Sequence, residues 1–300
     1  MSRIQEILNK AEREGTVRRT RGLSENSATA TAAPSVPAAR VTPPAFEAGA
    51  AAPWTSAATA PSLDDDLPDV TTAAPTLDAR LVAALAPQSP PAERYRLLRT
   101  RVKRAENGRA IRTIVVTSPA KGDGKSLTAA NLALTMAQEF SQRVLLLDAD
   151  LRRPSLAQFF GISESPGLSD VLAGGTDLER TLVHLPDQHL TVLPAGGPAA
   201  QPAELLGSSA MRRVLEQLRG RFDRILIDMP PVAPLADVHV ISPMIDGLLM
   251  VVRAGITPKP AIERALSGLD MGKVLGLVLN AAGEGGVEGY GDEGYGYIGG

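Results

Sequence analysis

The chain has 300 residues, 31 of them Lys or Arg and 33 Asp or Glu, with a formal net charge of −2 at pH 7. That balance gives no global electrostatic basis for binding nucleic acid. The sequence contains no cysteine, which excludes disulfides and thiolate zinc sites.

The opening stretch, MSRIQEILNKAEREG, lacks the apolar core of a signal peptide. Residues 3–14 are expected to form a short amphipathic helix, with Ile4, Ile7, Leu8 and Ala11 on one side of a basic segment ending at residue 22. Ala, Pro, Thr and Ser dominate from 23 to 88, and low hydrophobicity without periodicity predicts a disordered linker there. The longest aliphatic runs, VLLL at 144–147 and LLMVV at 248–252, fall far short of a membrane span. A cytoplasmic location is expected.

A folded domain is predicted over 89–282. Its first element, PPAERYRLLRTRVKR at 90–104, reads as a helix. Glu93, Arg96 and Arg99 occupy about a 120° sector of it, while Tyr95, Leu98 and Val102 lie opposite. The charged sector suits a solvated face, an anion or anionic-lipid patch, or a subunit interface. Strand-like runs follow at 112–117, 143–148, 190–194, 223–228, 246–252 and 274–280, with helical patterns at 125–140, 208–219 and 258–270 between them. Strands that are nearly continuous in Val, Ile and Leu are buried on both faces. The expected fold class is α/β, with a doubly wound, mostly parallel sheet.

Between the first strand and the first long helix lies TSPAKGDGKSLTAANLA, residues 117–133. GDGKS has the form of a phosphate-loop end, although Pro119 stands where the general pattern begins with glycine. Gly122 and Gly124 let backbone N–H groups turn toward oxyanions. The backbone from Lys121 through Asp123, Lys125 and Ser126 to Leu127 is the expected nucleotide cradle. Lys125 would reach the β- and γ-phosphates and Ser126 would ligate Mg²⁺. Asp148 and Asp150 end the next strand in LLLDADLRRP, and Asp228 ends ILIDMPP. Strand ends are where such folds bind ligands, and unpartnered buried carboxylates would be costly. Helix capping and a salt bridge to Arg152 or Arg153 would account for one of the first two acids. His184, His189 and His239 show no ligand spacing. The chain closes on GYGDEGYGYIGG, where three of its four tyrosines, Tyr290, Tyr295 and Tyr297, sit in a glycine-rich tail (283–300) expected to be flexible.

These motifs resemble the bacterial tyrosine kinases of capsule and exopolysaccharide synthesis. TSPAKGDGKS is similar to that family's Walker A, LLLDADLRRP to its Walker A′, ILIDMPP to its Walker B, and Glu93, Arg96 and Arg99 to its E-x-x-R-x-x-R motif. The resemblance covers roughly 89–300, including LPAGGPAAQPAELL (194–206), where Gln201-Pro202 stands for the usual Asn-Pro. It implies a deviant-Walker P-loop NTPase fold, Mg–ATP as phosphoryl donor, and autophosphorylation of Tyr290, Tyr295 and Tyr297. Asp150, Asp228 and Ser126 would then hold Mg²⁺, and Asp148 would orient or deprotonate the phenol. Arg152 would stabilise charge or pair with an acid, and Asn280 would touch the base. Glu93, Arg96 and Arg99 would join subunits in a ring with phosphorylation in trans, and a transmembrane polysaccharide co-polymerase would recruit the protein to the membrane's inner face. Two alternatives stay open: a partitioning or division-site ATPase, and a nucleotide-dependent scaffold without kinase chemistry. The ATPases carry a signature lysine where this chain has Ala120, with Lys121 one residue later. Phosphotyrosine detection discriminates the three.

Overall fold

Unbroken aliphatic runs build the sheet. The computed structural model describes residues 76–139, 142–232 and 236–282, so the N-terminal segment, most of the linker and the tyrosine tail lie outside the described residues. Two helices, α1 (Val82–Leu85) and α2 (Pro90–Ala105), precede β1 (Thr113–Thr117) and α3 (Lys125–Ala137). Next come β2 (Val144–Asp148), α4 (Leu156–Phe160), α5 (Leu168–Leu172), β3 (Val183–Leu185) and β4 (Leu190–Leu193). The chain continues through α6 (Pro202–Gly207), α7 (Ser209–Arg221), β5 (Arg224–Asp228) and α8 (Asp237–Ile241). It ends in β6 (Gly247–Arg253), α9 (Lys259–Ser267) and β7 (Val274–Asn280).

The strands form one sheet in the order β3-β4-β2-β5-β1-β6-β7, parallel except for the antiparallel β3–β4 pair at one edge. Alternate residues of a strand feed two separate cores. Val115, Leu145 and Leu147 pack with α5, α7, α8 and α9 on one face, and Ile114, Val116, Val144 and Leu146 pack with α1–α4 on the other. Helices on both faces explain why the inner strands read as continuous apolar runs. The six expected strands are all present. β3 and the one-turn helices were not foreseen, because three to six residues carry too little periodicity to read.

The expected boundary at 89 needs correction. Residues 76–88 are ordered against the domain: Leu81 and Ala83 are buried, and Asp78 N–H donates to the Phe159 carbonyl. Asn131 on α3 binds both sides of this segment, accepting from Ala83 N–H at 3.0 Å and donating to the Arg80 carbonyl at 3.1 Å. The apolar residues of LDARLVAAL are diluted by the Ala/Pro/Thr-rich sequence before them, so a composition average over 23–88 conceals their packing.

Candidate active site

Strand order sets the site. β1 lies between β5 and β6, and β2 lies beyond β5, so the carboxyl ends of β2, β5 and β1 stand side by side. Asp148 and Asp228 are cross-strand neighbours in the β2–β5 register. The Thr117 hydroxyl donates to the Pro230 carbonyl at 2.6 Å, and Val232 N–H donates to the Ser118 carbonyl, tying the turn after β1 to the turn after β5.

The loop from Ser118 to Gly124 then enters α3 with Gly124 as its cap residue. Gly122 and Gly124 have φ of +88° and +91°, the left-handed region that glycine enters without penalty. At Gly124 a Cβ would also lie 1.9 Å from Asn280 Nδ2, so that side chain would have to turn away from the loop. That nitrogen donates to the Asp123 carbonyl at 2.9 Å, so Asn280 is spent on the loop in this structure. Lys121 projects into solvent.

The Lys125 ammonium lies among the acids, 2.8 Å from Asp150 Oδ2, 3.3 Å from Asp228 Oδ1 and 3.0 Å from Ser126 Oγ. Burial disfavours its charged form, but Asp228 and Asp150 outweigh burial and hold its pKa above the usual lysine value. Burial raises the pKa of Asp228, against the pull of Lys125 and a hydrogen bond from Ser126. Burial likewise pushes Asp148 up to about 7, helped by its cross-strand neighbour Asp228.

Asp148 and Asp150 differ sharply in what they touch. Asp148 Oδ1 accepts from Asp150 N–H, and Oδ2 accepts from Ser155 and Leu156 N–H at 3.0 Å each. Its side chain is wholly enclosed and serves the turn into α4. These bonds give it a capping role at the turn into α4. Asp150 keeps one oxygen on Arg153 N–H and turns the other to Lys125. Arg152 takes the pairing role: its guanidinium makes a two-pronged bond to buried Asp237 at 2.8 and 3.1 Å.

The other sequence-selected residues lie elsewhere. Glu93 pairs with Arg96 at 2.8 Å on the surface of α2. Arg99 turns inward, donating to the Thr135 carbonyl and pairing with Glu139 at 3.2 Å, so the three residues do not form one free face. Tyr290, Tyr295 and Tyr297 lie outside the described residues. Sequence reasoning missed Asp237 and Thr257, the partners of Arg152 and Asp123. Thr257 precedes a Pro-Lys-Pro helix start and so reads as a simple cap; nothing local marks Asp237.

The residues fit a Mg–nucleotide. Ser126 Oγ and carboxylates of Asp150 and Asp228 converge on the Lys125 ammonium beside a phosphate-type loop, and all are hard oxygen donors. Among the described residues no group of three or more His, Cys, Asp or Glu is arranged to hold a metal by itself. Such an arrangement suits an ion that shares its coordination with phosphates and water.

Comparison with known proteins agrees with this geometry. The family model described as "ParA: NUBPL iron-transfer P-loop NTPase" matches residues 109–280. The chain is 34% identical over 206 residues to the tyrosine-protein kinase YwqD of Bacillus subtilis, covering 68% of this chain and 86% of that protein. It is 35% identical to the succinoglycan biosynthesis transport protein ExoP of Rhizobium meliloti, over 65% of this chain but only 25% of that much longer one. The kinase domain of the Escherichia coli tyrosine kinase ETK superposes with a TM-score of 0.63 at 28% identity, covering 68% of this chain and 82% of that domain. Fold, motif geometry and relatives converge: the chain belongs to the ParA-type P-loop NTPases and, among them, to the bacterial tyrosine-protein kinases.

Proposed function

We propose that the protein transfers the γ-phosphoryl group of Mg–ATP to tyrosine hydroxyls of its own tail, Tyr290, Tyr295 and Tyr297, in the service of capsule or exopolysaccharide synthesis. The observation that carries this reading is the meeting of Lys125, Ser126, Asp150 and Asp228 at the mouth of a phosphate-type loop. Lys125 holds the phosphates and balances charge as the bond to the leaving oxygen loosens. Backbone N–H groups from Lys121 to Leu127 bind the triphosphate. Ser126, Asp150 and Asp228 would hold Mg²⁺, which supplies charge neutralisation at the phosphates. Phosphoryl transfer passes through a loose transition state, so positioning and charge do most of the work. Asp148 contributes by fixing the turn that carries Asp150.

Glu93 and Arg96 on α2 are the surface through which copies would meet, placing one tail against a neighbour's site. The co-polymerase setting rests on relatives such as ExoP, whose name places it in polysaccharide biosynthesis. The iron-transfer reading suggested by the family model's description finds no thiolates in a sequence without cysteine. Incubating the protein with Mg–ATP and mapping phosphotyrosine by mass spectrometry tests the proposal. Phosphate on the tail tyrosines is expected; ATP hydrolysis without any phosphotyrosine would favour a partitioning-type ATPase.

A further inference from the structure

One buried carboxylate in the phosphate loop has a partner that neither the motif nor the proposed chemistry employs. Asp123 is 2% exposed, and hydroxyl and amide donors bind its carboxylate. Its Oδ2 accepts from Ala120 N–H at 3.0 Å, bracing the loop across its own turn. Its Oδ1 accepts the Thr257 hydroxyl proton at 2.7 Å, from the connection between β6 and α9. Thr257 Oγ1 in turn accepts from Arg253 N–H at 2.8 Å, which fixes the hydroxyl's direction at the end of β6. Asn280, at the end of β7, donates to the Asp123 backbone carbonyl at 2.9 Å. The loop is thus fastened at two points to the ends of β6 and β7, which carry none of Lys125, Asp150 or Asp228.

We infer that Thr257 is a positioning residue for nucleotide binding, acting through Asp123 to hold the loop in the shape that presents the N–H groups of residues 121–124 to phosphates. The inference rests on the nucleotide-binding reading above. A loop with two left-handed glycines has many alternative conformations, and ordering it only when ligand arrives would weaken binding. Clamping it beforehand removes that cost. The clamp shapes the loop alone, whereas the acids are held by β2 and β5 and Lys125 belongs to α3. Loss of the clamp should therefore raise KM for Mg–ATP and leave kcat nearly unchanged.

The test compares wild type, Thr257→Val, Thr257→Ser and Asp123→Asn in the full chain. Val keeps the shape of Thr but removes both the donor to Asp123 and the acceptor for Arg253 N–H; Ser restores both; Asn replaces one of the two carboxylate acceptors with a donor. Binding of Mg–ADP is measured by calorimetry, kcat and KM by phosphotyrosine formation, and melting without nucleotide by circular dichroism. Thr257→Val and Asp123→Asn should weaken Mg–ADP binding about tenfold, the scale of one lost hydrogen bond to a charged group, and Thr257→Val should keep kcat within about threefold of wild type. Thr257→Ser should bind as wild type does. Wild-type affinity in Thr257→Val overturns the inference, and so does a nucleotide-free melting point far below that of wild type, which would mark Thr257 as a general stability residue. Failure of the wild-type chain to bind Mg–ADP would instead overturn the nucleotide-binding reading itself.

Discussion

Two aspartates separated by one residue have different fates because one points into the fold and the other into the site. Asp148→Asn would turn an amide NH₂ toward either Asp150 N–H or the Ser155 and Leu156 N–H pair, all of which need an acceptor. A loss of roughly 1–3 kcal/mol in urea unfolding is expected, the cost of buried donors left unpaired. Asp150→Asn removes negative charge from a crowded cluster, so the melting temperature should hold or rise while phosphotyrosine formation falls at least tenfold, on the order of one lost electrostatic contact. If Asp150→Asn labelled as fully as wild type, its place in the chemistry would be lost. Lys125→Met should nearly abolish labelling and also lower stability, because Asp150 and Asp228 would be left buried without their cation. Melting must be read beside activity in that variant.

At the scale of elements, α2 divides into a surface half and an anchored half. Replacing Glu93 and Arg96 with alanine should change unfolding free energy by no more than about 0.5 kcal/mol, as for most exposed ion pairs. The same change should weaken self-association in sedimentation if the surface joins subunits. Arg99→Ala should cost about 1–2 kcal/mol instead, since it releases the Thr135 carbonyl and Glu139 at the end of α3. Similarly, Leu81→Ala should destabilise the domain by roughly 2–5 kcal/mol, although it lies in what composition reads as linker. The inner strands and α3 were legible in the sequence because long aliphatic runs and glycines at fixed spacing are local signals. The β2 acids were legible as a pair, but their division of labour depends on which way each side chain turns after the strand ends. Arg99, Thr257 and Asp237 were not legible in these roles, because their partners lie 36, 134 and 85 residues away.

For the whole molecule, the tail leaves the sheet at Asn280, beside the phosphate loop it is proposed to serve. About ten residues separate Asn280 from Tyr290, an extended reach of roughly 33 Å. That distance allows either the chain's own site or a neighbour's. Changing Tyr290, Tyr295 and Tyr297 together to Phe should remove nearly all phosphotyrosine, as read by mass spectrometry after incubation with Mg–ATP. Tyr95 is the other tyrosine of the sequence, and it is largely enclosed on α2 with its hydroxyl against Thr128. Undiminished labelling in the triple variant would therefore point to a partly opened α2 and remove the tail as acceptor.

The crowding of Asp150 and Asp228 around a single lysine carries an implication for how substrate arrives. The floor of the pocket is net anionic, and its own carboxylates already compete for Lys125. A bare triphosphate would meet repulsion there at close range, where little water screens it. Donor and divalent cation should consequently enter as one neutralised package, and a chelator should strip nucleotide from the protein without touching a single protein–phosphate hydrogen bond.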